Sequence, residues 1–429
     1  MKERFIANLE TTFRENLEGI HPLQKVIREK AWDRFLELGL PEKKHPGYQY
    51  LPLSQIFQES FGLSHYPDVT KDRVYPFLYP ETKRSHIVFL NGQYAPELSD
   101  TSALPEKVVI LRLKDALSSY GNFLQVRLAR ALKEETDPFA MLNLAMIQMG
   151  LFFYVPPETV IDKPVQCIHL IDNDRPSHLA PRIHFFLGRN SKMNWFYEGH
   201  CLKDYEYFSN SVVDVALEEG ASFSREGVIN PCKQGWYFDA FRVTQKRDSR
   251  FSSAICTTGC RSVRQDFRIS LMGENASCDL RGVALLSGNK QAHVNILIDH
   301  VAPHCTSNQL FKNVLADTSR SSFEGKIYVH PKAQKTIAYQ LNHNLLLDDR
   351  TIANSKPNLE IFADDVKASH GATVTQINPE HLFYLTSRGI DPKKARLLLL
   401  SGFSLDVMKN ISYLPLRERL VEITEKSFG

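Results

Sequence analysis

The sequence has no long apolar run. Its 429 residues include no stretch that approaches the roughly 18 consecutive apolar residues of a membrane-spanning helix. The opening residues, MKERFIANLETTFREN, also lack the uninterrupted apolar segment of an export signal. Both absences argue against a membrane or exported protein, so a cytoplasmic location is predicted.

An excess of charge of one sign is also missing. The 52 Lys and Arg residues nearly balance the 49 Asp and Glu residues, which leaves a net charge of +3. That is too little for the long-range field of a dedicated nucleic-acid-binding protein. The motifs G-x-x-x-x-G-K-S/T, G-x-G-x-x-G and G-x-S-x-G are absent as well. The chain is therefore expected neither to bind a nucleotide by itself nor to act as an enzyme.

Cysteine is sparse and does not form a metal-binding pattern. Cys256 and Cys260 are four positions apart, a spacing that fits neither a redox C-x-x-C pair nor half of a zinc ribbon. The total is odd and no export signal precedes it, so reduced, buried thiols are predicted. This prediction covers all seven cysteines: Cys167, Cys201, Cys232, Cys256, Cys260, Cys278 and Cys305.

Helical patterns occupy both ends of the chain. Apolar residues at helical spacing in Met1–Leu40 predict two amphipathic helices, and the pair Asp137-Pro138 predicts the start of another over Asp137–Met149. Three more helices are predicted near the C-terminus: Glu380–Ser387, one starting at Asp391, and one starting at Pro415. The pattern of the helix that starts at Asp391 points three apolar side chains inward, those of Ala395, Leu398 and Leu399.

The middle of the chain has a strand pattern. From Leu151 onward, β-branched and aromatic residues alternate with polar ones in short runs separated by turn formers, and no helical period interrupts them. A sandwich or a β-solenoid would fit, and the length of about 220 residues favours the solenoid, although no strict repeat is visible. The predicted organisation is a helical N-terminal domain with a short β segment (1–145), a β-helix core (146–377) and a helical C-terminal domain (378–429).

Two acid pairs in this core suggest one alternative function. Asp348-Asp349 and Asp364-Asp365 would suit a β-helix carbohydrate-active enzyme, because glycoside hydrolysis uses paired carboxylates. Adjacent residues of a strand point to opposite faces, so neither pair can address one substrate from a strand. Turn capping is therefore favoured for both pairs.

Histidines supply the other candidates. His300, His304 and Cys305 could bind a metal ion, but the intervening proline prevents a helix that would bring the two imidazoles together. His330 and His343 could stack on one face of adjacent strands, although hydrogen-bonded surface or turn positions are favoured. His370, next to Gly371, could be a metal ligand, a proton carrier or a turn residue.

Four segments of the sequence closely resemble the SufB/SufD family of iron–sulfur cluster assembly proteins. They are DHVAPHCTSNQLFKNVLADTSRSSFEGKIYVHPKAQKT (Asp299–Thr336), LNHNLLLDD (Leu341–Asp349), KPNLEIFADDVKASHGATV (Lys356–Val374) and LFYLTSRGI (Leu382–Ile390). The third segment, with its histidine, is similar to the SufD branch. The resemblance implies a β-helix core flanked by helical domains, which favours the solenoid over the sandwich.

The resemblance also implies a function. It implies a scaffold subunit that pairs with SufB through its late strands, docks the ATPase SufC, and holds an iron–sulfur cluster only transiently at the SufB interface. His370 matches the histidine implicated in cluster assembly, while Ala368 stands where many SufD sequences have cysteine. A SufB-like scaffold that pairs with itself remains an alternative. The residues expected to dock the ATPase are Leu382, Tyr384, Arg388, Ala395, Leu398 and Leu399.

Overall fold

The structure is a computed structural model that describes residues 1–17, 20, 22–229, 232–409 and 411–428. Its helices are α1 (Lys2–Glu15), α2 (Pro22–Leu38), α3 (Leu53–Ile56), α4 (Leu113–Ser119), α5 (Gly121–Glu134), α6 (Pro138–Met146), α7 (Pro379–Ser387), α8 (Pro392–Met408) and α9 (Leu414–Phe428). Three single-turn 3₁₀ helices cover Lys71–Arg73, Tyr75–Phe77 and Pro80–Thr82.

The strands are β1 (Gly62–Leu63), β2 (His86–Leu90), β3 (Gln93–Tyr94), β4 (Val109–Arg112), β5 (Leu151–Val155), β6 (Val165–Ile171), β7 (Ser177–Leu179), β8 (Arg182–Leu187), β9 (Lys192–Cys201), β10 (Tyr207–Leu217), β11 (Ser222–Ile229), β12 (Gly235–Gln245), β13 (Arg250–Thr257), β14 (Ser262–Leu271), β15 (Ser277–Leu286), β16 (Gln291–His300), β17 (Thr306–Leu315), β18 (Arg320–Val329), β19 (Thr336–Leu346), β20 (Ile352–Ile361) and β21 (Val366–Gln376).

These strands form a β-solenoid of about eight turns, as the sequence predicts. Each turn gives one strand to each of two sheets. The first sheet runs in the order β4-β5-β8-β10-β12-β14-β16-β18-β20, and the second in the order β3-β2-β6-β9-β11-β13-β15-β17-β19-β21. From β5 onward all neighbours within a sheet are parallel. Strands of the N-terminal region also take part, since β4 pairs with β5 and β2 pairs with β6.

The turns repeat in space although their sequences do not. Trp236 stands opposite Ser262, 26 positions later, whereas Arg320 stands opposite Ile352, 32 positions later. One corner nevertheless has the same backbone geometry in successive turns. The residue at this corner has a left-handed conformation with φ between 54° and 67°. Its N–H donates to a carbonyl oxygen of the next turn. These corner residues are Glu158, Asn190, Gly220, Asp248, Asn275, His304 and Lys335.

The interior of the solenoid changes character along its length. The early turns are filled by aromatic and aliphatic side chains, including Phe185, Trp195, Phe223 and Phe251. The late turns also contain amides: Asn313 donates from Nδ2 to Asn344 Oδ1 at 2.7 Å. Buried amides are stable inside a protein only when they are paired. The late interior therefore combines hydrogen-bonded amides with apolar side chains such as Phe323 and Ile327.

Helices cover the outer faces of the two sheets. The N-terminal helices pack on the first sheet in a cluster that contains Phe152, Phe208 and Trp236. The C-terminal helices α8 and α9 pack on the second sheet, where Leu400 and Leu420 join a cluster of strand residues. Within the described residues, none of the helices combines the length and apolar character that crossing a membrane requires.

The helix starts follow the capping residues in the sequence. Asp137 accepts hydrogen bonds from the N–H groups of Phe139 and Ala140 at the start of α6. Asp391 does the same for Lys393 and Lys394 at the start of α8. The two helices predicted in Met1–Leu40 are present as α1 and α2, and the helix predicted from Pro415 begins at Leu414.

The prediction that every cysteine is a reduced thiol is wrong. Cys201 and Cys232 form a disulfide with a Cα–Cα distance of 5.7 Å. They are 31 residues apart, which is one solenoid turn, so stacking brings Cys201 at the end of β9 next to Cys232, which lies three residues after the end of β11. The other five are free and buried, as predicted.

Candidate functional site

The solenoid ends in two strands that have no neighbour on one side. Within the part of the chain that the structure describes, β20 pairs only with β18 and β21 pairs only with β19. No residue of these two strands is fully buried, whereas each of the preceding strands, β18 and β19, contains several fully buried residues. The open N–H and C=O groups of such strands are a template for pairing with another chain. We call this end the late edge.

His370 lies in the middle of the late edge. It is in register with Gln340 of β19, and paired residues of neighbouring strands point to the same face of a sheet. Gln340 is fully buried in the solenoid interior. The imidazole of His370 therefore belongs to the interior face, and it is exposed because no further turn is stacked on it.

A row of amides leads from the interior to His370. Gln340 Nε2 donates to Gln309 Oε1 at 2.9 Å, while Gln340 Oε1 is buried without a hydrogen-bond partner among the described residues. Gly325 makes room for this amide, since a Cβ at that position would collide with it. A buried acceptor one strand away from His370 can accept from an imidazole N–H and thereby fix the ring's orientation.

Ala368 stands on the same face, two positions before His370. Its side chain is half-buried and packs in a small apolar cluster with Ala338 and Val329. This position contributes no thiolate. Among the described residues, no three His, Cys, Asp or Glu side chains converge as they would around a metal ion.

The predicted docking residues lie on the α7–α8 hairpin next to the late edge. Tyr384 and Arg388 are exposed and contact each other, with the guanidinium 5.0 Å from the ring centre. Leu382 and Leu399 are half-buried. Leu398 is 48% exposed, so the prediction that it faces inward is wrong. The reason is that α8 rests on the second sheet mainly through its second half, which contains Leu400 and Val407.

Two further residues of the α7–α8 hairpin, Ala395 and Phe383, differ sharply in exposure to solvent. Ala395 is fully buried, as its inward prediction required, so it shapes the hairpin and has no surface to offer a partner. Phe383 is 73% exposed, the highest value among the large apolar side chains of the described residues. It lies between Leu382 and Tyr384 in a segment that carries the family resemblance, but it is not among the residues predicted to dock a partner. Phe383 therefore adds an exposed aromatic ring to the surface of the hairpin.

The other candidate histidines lie in separate environments. His300 is buried and hydrogen bonded to Ser307 Oγ at 2.8 Å, whereas His304 is an exposed corner residue. His330 follows β18 of the first sheet and contacts Asp299 at 2.8 Å. His343 belongs to β19 of the second sheet and contacts Thr373 Oγ1 at 2.8 Å. The option that His330 and His343 stack on adjacent strands is wrong, because successive strands go to different sheets.

The acid pairs hold turns. Asp348 accepts from the backbone N–H of Asp317 at 2.7 Å, and the carbonyl oxygen of Asp365 accepts from the N–H of Lys335 at 2.6 Å. Both contacts join one turn of the solenoid to the next. The Asp348 carboxylate therefore caps a turn, as predicted, whereas Asp365 joins the turns through its backbone. Turn capping by Asp349 and Asp364 stays a prediction.

The free cysteines are poor nucleophiles. Burial raises the pKa of the Cys260 thiol to about 12 and that of Cys305 to about 11. The thiolate is the reactive and metal-binding form, so thiols with such pKa values are inert at neutral pH. Neither thiol is therefore a candidate nucleophile or metal ligand at neutral pH.

Comparison with known proteins identifies the family. Residues 169–403 match the SufBD core domain of the SUF system for FeS cluster assembly, and residues 8–167 match the SufBD protein N-terminal region. The chain is 28% identical over 407 residues to an iron–sulfur cluster assembly SufBD family protein of Synechocystis, covering 92% of this chain and 88% of that protein. It is 26% identical over 393 residues to the iron–sulfur cluster assembly protein SufD of Escherichia coli, covering 87% and 86%. The chain belongs to the SufB/SufD family of iron–sulfur cluster assembly proteins.

Proposed function

We propose that this chain is a non-catalytic scaffold subunit on which an iron–sulfur cluster is assembled. It pairs with a SufB-like chain through the late edge and docks a SufC-like ATPase through the α7–α8 hairpin. His370 contributes an imidazole to the nascent cluster, which is the cargo and not a resident cofactor. The observation that carries this proposal is the open late edge with His370 at its centre.

The edge supports pairing for an energetic reason. Solenoids need a terminal cap because an uncovered last turn leaves apolar surface and backbone groups in water. Here β20 and β21 are half-buried or exposed along their whole length. Stacking the last turn of a partner would bury the interior face and satisfy the open strand groups. A paralogue with the same solenoid cross-section provides such a turn.

His370 suits a shared ligand position. A neutral imidazole is a ligand for iron in clusters and holds them less tightly than thiolate. The absence of a thiol at Ala368 leaves this chain with one donor on the interior face. The remaining ligands then come from the partner, which makes cluster formation depend on pairing.

The experiment is iron and sulfide analysis of the co-expressed complex. The chain is produced with its two partners, purified through the partner's tag, and compared with His370→Asn. We expect the variant to assemble fully while its iron and acid-labile sulfide fall to background. The matched control is His304→Asn, since His304 is an exposed corner residue whose left-handed conformation asparagine tolerates. Unchanged iron and sulfide in His370→Asn would rule out the ligand role.

A second pair of variants tests ATPase docking. Leu398→Asp places a charge on the exposed face of α8 and should abolish co-purification of the ATPase while pairing with the SufB-like chain persists. Val126→Asp, on the exposed face of α5, is the matched control and should change neither. Retention of the ATPase by Leu398→Asp would place the docking surface elsewhere. Size measurement of the chain alone separates pairing with a paralogue from self-pairing.

A further inference from the structure

A cavity of about 330 Å³ lies in the N-terminal region, far along the chain from the late edge. Its size is within the range of small-molecule pockets, about 300–1,000 Å³. Part of its wall is aliphatic and comes from β1, α4, α6 and the residue that follows α6, including Leu63, Leu117, Leu144 and Ile147. Polar residues, among them Gln24 and Gln148, line the rest of the wall, and the cavity is open to solvent.

Among the described residues, the cavity contains a buried cation without a counter-ion. Arg28 of α2 lines the wall and is 4% exposed. Its Nε donates to the carbonyl oxygen of Ala145 at 2.7 Å, but its Nη2 is buried and has no hydrogen-bond partner in the part of the chain that the structure describes. Burial lowers the pKa of Arg28 to about 10, which still leaves the guanidinium charged at neutral pH.

No described carboxylate compensates this charge. Glu15 lines the same cavity but forms no ion pair with Arg28 among the described residues. The carbonyl oxygen of Ala145 near the C-terminus of α6 supplies only a partial negative charge. A buried, unpaired charge is costly, and proteins normally satisfy it with an anion. Lys114, exposed on the wall of the cavity, adds a second positive charge near the opening.

We propose that this cavity binds an organic anion with an apolar tail, of the medium-chain carboxylate type. The carboxylate accepts from Arg28 Nη2, and the tail lies against the leucine side chains. The site is separate from the late edge, so this inference does not depend on the proposed scaffold function.

The test is calorimetric titration of the full chain with sodium decanoate, 1-decanol and sodium acetate. A charge-assisted hydrogen bond to a buried guanidinium should make decanoate bind at least about tenfold more tightly than decanol. Acetate, which has the charge without the tail, should show no saturable binding. Decanoate binding should be saturable with one site per chain.

Two variants of the same helix complete the test. Arg28→Met should weaken decanoate binding at least about tenfold, whereas Lys25→Met, which removes an exposed charge from α2, should change it less than about twofold. Equal affinity for decanol and decanoate, equal losses in both variants, or no saturable decanoate binding would each overturn the proposal. If Arg28→Met does not fold, the comparison of the three ligands on the unmodified chain decides.

Discussion

Lys312 of β17 donates from Nζ to Asp406 Oδ2 of α8 at 2.8 Å. The same ammonium group donates to the carbonyl oxygen of Phe403 at 2.8 Å and lies 4.8 Å from the centre of its ring. Hydrogen bonds from Lys312 and Lys409 hold the pKa of Asp406 at about 2. The C-terminal hairpin is therefore joined to the second sheet at β17, two strands away from the late edge.

Replacement of Lys312 by Met should loosen α8 from the sheet. The Lys312 side chain is 8% exposed, so its hydrogen bonds are shielded from water, and we expect a loss of about 1–2 kcal/mol in the unfolding free energy. Hydrogen exchange of the α8 amides measures the effect. Lys409→Met removes an exposed partner of the same carboxylate and should cost less than about 0.5 kcal/mol. Equal effects in the two variants would contradict the anchoring role.

Replacement of Arg264 by Met should detach the N-terminal region from the solenoid. Arg264 contacts Asp137 at 2.7 Å and Asp266 at 3.2 Å, and it lies 4.2 Å from the ring centre of Tyr48. Although burial alone would raise it, the charge of Arg264 holds the pKa of Asp137 below its ordinary value. Leaving both buried carboxylates without this partner should cost about 3–5 kcal/mol in denaturant unfolding.

The control for Arg264 is an exposed ion pair of similar geometry. Arg130 contacts Glu134 at 2.6 Å on the surface of α5. Arg130→Met should cost less than about 1 kcal/mol, because surface ion pairs are screened by water. A loss from Arg264→Met as small as that of Arg130→Met would show that the buried network is not what holds the N-terminal region.

As the pH is lowered, the chain should begin to lose stability at a pH well above the pKa values of carboxylates. Burial lowers the pKa of His169, His178, His184 and His293 to about 3 and that of His300 to about 4. The unfolded chain binds protons at these histidines below a pH of about 6.5 while the folded chain does not. Stability is therefore complete above this pH and falls as the pH drops toward 3, by up to about 1.4 kcal/mol per pH unit for each histidine.

Denaturant unfolding at pH 7.5, 6.5 and 5.5 measures this slope. His178→Phe should reduce the pH dependence by about one proton, since His178 packs against Phe208 with ring centres 5.1 Å apart. His304→Asn, at an exposed corner, should leave the slope unchanged. A flat response of the unmodified chain between pH 6.5 and 5.5 would contradict the burial of these imidazoles in neutral form.

Reduction should weaken the solenoid near β9 and β11. The disulfide of Cys201 and Cys232 closes a loop of 31 residues, and losing that constraint should cost roughly 3 kcal/mol. Unfolding with and without a reductant measures the cost. Cys201→Ser should be insensitive to the reductant, whereas Cys256→Ser should remain as sensitive as the unmodified chain. No response of the unmodified chain to reduction would show that the bond does not form in solution.

The features predicted from the sequence are those set by local chemistry. Asp137 and Asp391 cap helices because a carboxylate satisfies the first N–H groups wherever it precedes a helical run. The alternating runs form strands because one face is buried in the interior. His370 was identified as the main site candidate by the family resemblance. Its neighbours in the sequence alone did not distinguish a metal ligand from a turn residue.

The features that the sequence did not predict depend on distant partners. The disulfide requires knowing that one turn separates Cys201 from Cys232, and turn lengths vary too much to be read from the sequence. Leu398 was expected to be buried because apolar residues at helical spacing usually face the core. Only part of the α8 surface packs on the sheet, however, and Leu398 lies outside that part. The unpaired acceptor of Gln340 beside His370 also depends on register between strands that are thirty residues apart.

The constant corner of the solenoid has a consequence for how such a chain can change its length. Each corner residue, from Glu158 to Lys335, has a left-handed backbone conformation and is hydrogen bonded through its N–H to the turn that follows. A segment that runs from one corner to the next is thus an interchangeable module with matching ends. Its duplication would lengthen the solenoid and its removal would shorten it. In both cases the N-terminal and C-terminal helices and β21, the strand that contains His370, would keep their own contacts.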